Sequence, residues 1–220
     1  MSFFAVDNDT VIIVNPKAGS MSMMQALEQV NHLEVTAQEA LSYSKRVLFI
    51  RHPITRLKSL FNMFYRLTIN SADYAEYMPV GTIRAHGARA KNVIGDNDHH
   101  FSGLVKALSD DDIAAERLSG LTDDEIELTL NNRDYRRFVD FILSGNKDNH
   151  WQPQTLLSSY QGELVANTIH KFEDINIHWQ SYVSSPIPII NSWPTVDHIN
   201  YRLKDLRAYY ADDIALWSTL

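Results

Sequence analysis

The 220-residue sequence contains no cysteine. This absence excludes disulfide bonds, thiolate metal ligands and cysteine nucleophiles. Long apolar runs are also missing, and none approaches the roughly 20 residues that a membrane-spanning helix needs. Residues 1–4 have neither the basic flank nor the apolar core of a signal peptide. We therefore expect a cytoplasmic protein that does not insert into a membrane.

Basic residues are outnumbered by acidic ones, and the 20 Lys and Arg against 27 Asp and Glu give a net charge of −7. This balance argues against nucleic acid as a partner. The charges are nonetheless uneven: residues 40–72 contain six basic side chains and no acidic one, whereas residues 109–134 contain nine acids. A basic tract in an acidic protein favours a small anionic ligand. The length and the 45% hydrophobic content are typical of one globular domain.

Residues 11–24 carry the first motif. Four β-branched apolar residues, 11–14, predict a strand that is buried on both faces, and apolar residues at helical spacing follow as far as Val30. The loop between them contains Lys17 and Gly19. The N–H groups and the positive dipole end of the following helix would point at a ligand in this loop, which predicts a phosphate site. The alternative interpretation is an ordinary strand–turn–helix with an exposed lysine.

Lys17 precedes Gly19, whereas in the Walker pattern the lysine follows the last glycine. The order Pro-Lys-x-Gly-Ser-x-Ser resembles the 5′-phosphosulfate loop of sulfotransferases, which use 3′-phosphoadenosine 5′-phosphosulfate (PAPS). The resemblance implies that Lys17 stabilises charge on the departing 5′-phosphate oxygen, while backbone amides and hydroxyls hold that phosphate. The loop residues that it assigns to the cofactor are Lys17, Ala18, Gly19, Ser20, Met21, Ser22 and Met23.

Residues 47–61 carry the second motif, a predicted buried strand followed by a helix. The string from Arg51 to Phe61 resembles R-x-P-x-x-R-x-x-S-x-[FY], the 3′-phosphate motif of the same family. The resemblance assigns Arg51 and Ser59 to the 3′-phosphate, and a guanidinium fork with a hydroxyl suits that ligand. For Arg56 a structural role and a ligand contact stay open.

The alternation of strands and helices predicts an α/β fold, in which helices flank a P-loop-like parallel β-sheet. Ligands of such sheets bind at the carboxyl ends of the strands, so Lys17 and Arg51 would face one crevice. We expect a single domain over residues 1–220. Its other expected parts are an acceptor loop at 70–102, a helical insert at 109–143, a return strand at 162–170 and one C-terminal helix at 197–217.

Residues 149–154 read Asn-His-Trp-Gln-Pro-Gln, which is similar to a string in the carbohydrate sulfotransferases related to the chondroitin and HNK-1 enzymes. We predict His150 as the general base for the acceptor hydroxyl, because imidazole titrates near neutral pH. A purely anchoring role for His150 and Trp151 stays open. Glu39 is an alternative base, since the wider superfamily uses either residue type. Weaker similarities at 172–175, 187–192 and 209–217 extend the resemblance along the chain.

The resemblance implies transfer of a sulfuryl group from PAPS to an acceptor hydroxyl, with adenosine 3′,5′-bisphosphate as the product. We expect the acceptor to be a saccharide and no metal to be required. Two alternatives stay open. A kinase-like phosphotransferase would need ATP and Mg²⁺, and a non-catalytic module would bind the nucleotide without transferring anything.

Overall fold

The computed structural model describes residues 1–69, 132, 135–188 and 200–220, and it describes side chains in the first range only as far as residue 62. The predicted acceptor loop at 70–102, most of the helical insert and residues 189–199 lie outside these ranges. The chain forms two compact units. The first comprises residues 1–57, 149–194 and 207–220, and the second comprises residues 58–148 and 195–206.

A five-stranded sheet forms the centre of the first unit. The strands of the described chain are β1 (Ser2–Ala5), β2 (Thr10–Val14), β3 (Leu33–Val35), β4 (Lys45–Ile50), β5 (Ser159–Tyr160), β6 (Glu163–Leu164) and β7 (Thr168–Lys171). The order in the sheet is β3-β1-β2-β4-β7. β2, β4 and β7 are parallel neighbours, whereas β1 runs antiparallel to β2 and β3. The α/β fold with a parallel core is therefore confirmed, and the antiparallel β1 is an element that the sequence analysis missed.

Both faces of the sheet are covered, which explains the unbroken apolar run in β2. Ile12 and Val14 pack in one buried cluster with residues of the following helix, and Val11 and Ile13 pack in a second cluster. Side chains alternate between faces along a strand, so a strand that is buried on both faces must be apolar at every position. All four side chains are at most 5% exposed.

Helices connect and follow the strands. They are α1 (Ser20–Leu27), α2 (Ala37–Ala40), α3 (Pro53–Ile69), α4 (135–143), α5 (Gln154–Leu157), α6 (Ile175–His178), α7 (Leu203–Tyr209) and α8 (Ala211–Thr219), with 3₁₀ turns at Phe172–Asp174 and Trp179–Ser181. α1 and α3 follow β2 and β4 as the sequence predicts. No helix in the described part of the chain is both long and apolar enough to cross a membrane.

Two elements differ in extent from their prediction. The return strand expected at 162–170 is divided, because Gln161 (φ 52°) and Gly162 (φ 86°) turn the chain into the β5–β6 hairpin and only β7 joins the main sheet. The described part of the C-terminal helix expected at 197–217 is two helices, α7 and α8. Tyr210 lies between them at φ −105° and ψ 26°, and its buried hydroxyl donates to the Trp151 carbonyl at 2.5 Å. This tertiary contact accompanies the break.

The second unit has its own aromatic packing. The Phe61 ring of α3 lies 5.3 Å from the Tyr135 ring and 5.4 Å from the Phe138 ring of α4. Burial raises the pKa of Tyr135 to about 12. α4 ends where the sequence predicts, with Gly145 at φ 95°. The apolar face of α4 is buried in this packing.

Candidate active site

The loop between β2 and α1 is shaped by two residues with left-handed backbone conformation, Lys17 at φ 63° and Gly19 at φ 74°. Gly19 is the N-cap of α1 and has no side chain to cap it. The first N–H groups of a helix have no partner within the helix. The hydrogen-bond ladder of α1 begins with the Met23 N–H, which donates to the Gly19 carbonyl at 2.9 Å. The amides before Met23 thus face the end of the loop where an anion would be bound.

The side chains of this loop differ in exposure. Ala18, Ser22 and Met23 are buried, and Met23 belongs to the core beneath α1. Ser20 is half-buried, whereas Met21 is 60% exposed. Met21 and Met23 can therefore serve a ligand in this loop through the backbone rather than through their side chains.

Phe172 lies directly against Gly19. A Cβ atom built on Gly19 would overlap the Phe172 ring, so the packing accepts no side chain at this position. Phe172 follows the carboxyl end of β7, next to β4 in the sheet. The guanidinium carbon of Arg51 lies 5.8 Å from the centre of the same ring. Phe172 therefore packs against the phosphate loop and also lies near Arg51.

Lys17 and Arg51 follow the carboxyl ends of the parallel neighbours β2 and β4. Burial, and next the positive charge of Arg51, lower the pKa of Lys17 to about 8. Burial also lowers the pKa of Arg51, against the opposing effect of the Glu173 carboxylate. Two partly buried cations that repel each other are suited to binding an anion, which would relieve the repulsion.

Arg56 is buried, and its guanidinium joins two loops. It donates to the Pro16 carbonyl at 2.9 Å, the Gln152 carbonyl at 2.8 Å and the Asn149 carbonyl at 3.1 Å. Pro16 directly precedes Lys17, and Asn149 and Gln152 flank the segment with His150. Three of its five N–H donors thus bind backbone carbonyls, which favours the structural alternative for Arg56.

His150 itself is half-buried, next to the fully buried Trp151. The backbone on both sides of it is anchored, by Arg56 at Asn149 and Gln152 and by the Tyr210 hydroxyl at Trp151. These bonds show that the backbone of this segment is anchored, and both functions considered for the His150 side chain stay open. His150 lies within an ordered segment close to the lysine loop.

Two predicted residues remain, Ser59 and Glu39. Ser59 is half-buried on α3, in the second unit, and Arg51 belongs to the first. Glu39 is exposed at the amino end of β4, where its carboxylate accepts hydrogen bonds from the Thr36 N–H and hydroxyl, both at 2.8 Å. The Thr36 hydrogen bonds lower the pKa of Glu39. Glu39 caps α2 at the end of β4 opposite to Arg51, which disfavours it as a base.

Sequence reasoning missed three residues at this edge of the sheet: Phe172, Gln154 and Asp213. Gln154 binds the backbone of Arg51, and Asp213 binds Gln154. Both belong to strings that resemble the family, yet Gln154 and Asp213 are 59 positions apart and no spacing rule connects them. Among the described residues, no group of three or more His, Cys, Asp or Glu side chains could hold a metal ion.

Comparison with known proteins gives one match. A model described as "Sulfotransferase family" matches residues 14–184, which include the lysine loop, Arg51, Ser59 and His150. No curated protein matches the chain, and no solved structure matches it.

Proposed function

Because this chain belongs to the sulfotransferase family, we propose that it transfers a sulfuryl group from PAPS to a hydroxyl of a saccharide. The family is an enzyme family that takes the sulfuryl group from PAPS. The saccharide acceptor is the finer part of the proposal. It is supported by the resemblance of residues 149–154 to the carbohydrate sulfotransferases.

The observation that carries the proposal is the buried guanidinium of Arg56. Through carbonyls within 3.1 Å, it holds the backbone next to Lys17 and the backbone on both sides of His150. A lysine for charge stabilisation and a histidine for proton removal thus project from loops that are tied to one group. Transfer between two oxygens depends mainly on such positioning.

The residues present fit a donor with two phosphate groups. Lys17 and the N-terminus of α1 form one cationic position, and Arg51 forms another near the Phe172 ring. When bound, PAPS supplies the activated sulfuryl group. Lys17 would stabilise the negative charge that develops on the 5′-phosphate oxygen, and the amides before Met23 would bind that phosphate. Arg51 would bind the 3′-phosphate, and the family resemblance assigns Ser59 to the same phosphate.

His150 would remove the proton from the acceptor hydroxyl. We expect His150→Ala to lower kcat by about 100-fold or more, the usual effect of losing a general base, while the Kd for adenosine 3′,5′-bisphosphate stays within twofold. His32→Ala, at an exposed position, is the matched control. Unchanged turnover with an unchanged pH profile would exclude His150 as the base.

The test of the donor site is a thermal-shift titration with adenosine 3′,5′-bisphosphate, AMP, and ATP with Mg²⁺. A ligand that binds only the folded state stabilises it by about 2.7 kcal/mol at a hundredfold excess over Kd. We expect the bisphosphate to raise the Tm most. Stabilisation by ATP with Mg²⁺ alone would contradict the proposal and favour a kinase-like enzyme.

The acceptor is tested by incubating the enzyme with PAPS and either chondroitin oligosaccharides or simple phenols, and measuring bisphosphate release and the sulfated product. We expect sulfated saccharide. Sulfation of phenols alone would overturn the saccharide proposal and keep the sulfotransferase activity. Tight bisphosphate binding with no transfer to any acceptor would favour a non-catalytic module. A cytoplasmic location is likewise a proposal, which cell fractionation tests.

A further inference from the structure

We propose that Gln154, fixed by Asp213, is a positioning residue for Arg51 and thereby sets the preference of this site for nucleotides with a 3′-phosphate. The inference rests on the proposed function, because it takes the 3′-phosphate as the ligand of Arg51. It concerns two residues, Gln154 and Asp213, that touch no ligand in this proposal and act through the Arg51 backbone.

The Gln154 side chain binds both backbone polar groups of Arg51. Its Oε1 accepts from the Arg51 N–H at 3.1 Å, and its Nε2 donates to the Arg51 carbonyl at 2.8 Å. β4 ends at Ile50, so Arg51 is the first residue beyond the strand. The Gln154 amide pairs with Arg51 as a neighbouring strand would. Only one orientation of the amide satisfies both bonds, since the N–H must meet an oxygen and the carbonyl must meet a donor.

Asp213 fixes Gln154 from the C-terminal helix α8. Its Oδ2 accepts the Gln154 N–H at 2.8 Å, and its Oδ1 accepts the Thr155 N–H at 2.8 Å and the Thr155 hydroxyl at 2.7 Å. These two N–H groups begin α5, which Pro153 precedes without a capping side chain. The Asp213 carboxylate thus caps α5 from another helix. Gln154 and Asp213 are both fully buried.

This network has a function beyond stability because of the electrostatics of Arg51. Arg51 is partly desolvated and repels Lys17, so without an anion its side chain gains by moving towards solvent. Fixing the backbone at Arg51 limits that movement. A binding group that is held in place before the ligand arrives loses less entropy on binding, which raises the affinity for the ligand that it contacts. The gain should apply to the 3′-phosphate and not to the 5′-phosphate.

The experiment measures the Kd values of adenosine 3′,5′-bisphosphate and AMP by calorimetry. The Kd of AMP divided by the Kd of the bisphosphate reports the preference for a 3′-phosphate. Gln154→Met keeps the side-chain size and removes both bonds to Arg51. We expect this variant to lower the ratio at least tenfold, because its affinity for the bisphosphate falls while its affinity for AMP stays within twofold of wild type. Asp213→Asn should lower the ratio less, because it disturbs Gln154 and leaves its amide in place.

Thr155→Val is the matched control. It removes one hydrogen bond to the same carboxylate and leaves Gln154 and Arg51 untouched, so the ratio should stay within twofold. An unchanged ratio in folded Gln154→Met would overturn the inference, whether both affinities stay the same or both fall equally. If Gln154→Met does not fold, the same ratio is measured for Asp213→Asn, and an unchanged value would overturn the inference. A wild-type protein with no preference for the bisphosphate over AMP would overturn the proposed function and this inference with it.

Discussion

Lys17 combines three features that are unfavourable for a lysine: a left-handed backbone, partial burial and a neighbouring cation. A left-handed residue other than glycine costs roughly 1–2 kcal/mol. Such strain persists where the surrounding structure imposes it, and it concentrates at functional sites. The strained backbone at Lys17 is therefore consistent with the functional role proposed for this residue.

The lowered pKa of Lys17 predicts a pH dependence of nucleotide binding. Its pKa of about 8 means that Lys17 is a cation at neutral pH and becomes neutral as pH rises through that value. We expect the affinity for adenosine 3′,5′-bisphosphate to fall as pH rises above about 8, measured by calorimetry between pH 6.5 and 9.5. Lys17→Arg, which stays charged, should give a flatter curve. Identical curves for the two proteins would exclude Lys17 as the titrating group.

Titration of Lys17 changes the stability of the ligand-free protein in the opposite direction. Because the folded pKa lies below the ordinary value of 10.5, the unfolded chain holds the proton more tightly between about pH 8 and 10.5. The contribution of Lys17 therefore destabilises the folded state below about pH 8, and this cost is relieved across that interval. Ligand binding and stability of the free protein thus respond to alkaline pH in opposite directions.

Gly19 is required by its backbone and by its packing against Phe172. We expect Gly19→Ala to reduce the free energy of unfolding by more than the roughly 1–2 kcal/mol of a left-handed alanine, because the new methyl group overlaps the Phe172 ring. Urea unfolding and the bisphosphate Kd should both change. Gly162→Ala is the control, since Gly162 has φ 86° and open space around it. Equal losses in the two variants would show that the packing contributes nothing.

At the scale of elements, the phosphate loop and the segment 149–152 are joined by the side chain of Arg56 on α3. Removal of the guanidinium takes this charged donor away from three carbonyls in a part-buried setting, and a hydrogen bond from a charged group contributes about 1.5–3 kcal/mol. We expect Arg56→Met to lower the free energy of unfolding by about 3 kcal/mol or more in urea, and to lower kcat. Thr55→Ala, an exposed position on the same helix, should change both values little. A normal kcat in Arg56→Met would contradict the joint positioning of Lys17 and His150.

At the scale of the whole molecule, the chain carries a net charge of −7, whereas Lys17 and Arg51 place two cations at the carboxyl edge of the sheet. The overall charge repels a polyanion, whereas a nucleotide interacts mainly with the local cations. We expect labelled single-stranded DNA to show no binding in fluorescence anisotropy at about 150 mM salt, where the Debye length is about 8 Å. Micromolar DNA affinity at this salt concentration would contradict the prediction.

Local pattern in the sequence was sufficient for β2, β4 and the helices after them, because a strand buried on both faces and an amphipathic helix each leave a repeating signature. The lysine loop and Arg51 could be predicted as phosphate-binding for the same reason, because the residues of each motif are contiguous in the sequence. The short antiparallel β1 was missed, because its place in the sheet depends on pairing with β2. The return strand is divided by left-handed residues at 161 and 162, which the hydrophobic periodicity of the sequence alone does not reveal.

Only the tertiary structure decided the function of Arg56, the contact of Phe172 with Gly19, and the connection from Asp213 through Gln154 to Arg51. These contacts join residues that are from 40 to more than 150 positions apart, and a hydrogen bond to a backbone carbonyl requires no particular residue there. The break at Tyr210 belongs to the same class, since a buried hydroxyl bond accompanies it in a sequence with helical periodicity. The sequence determined which groups could bind phosphate, and the packing determined which groups hold them in place.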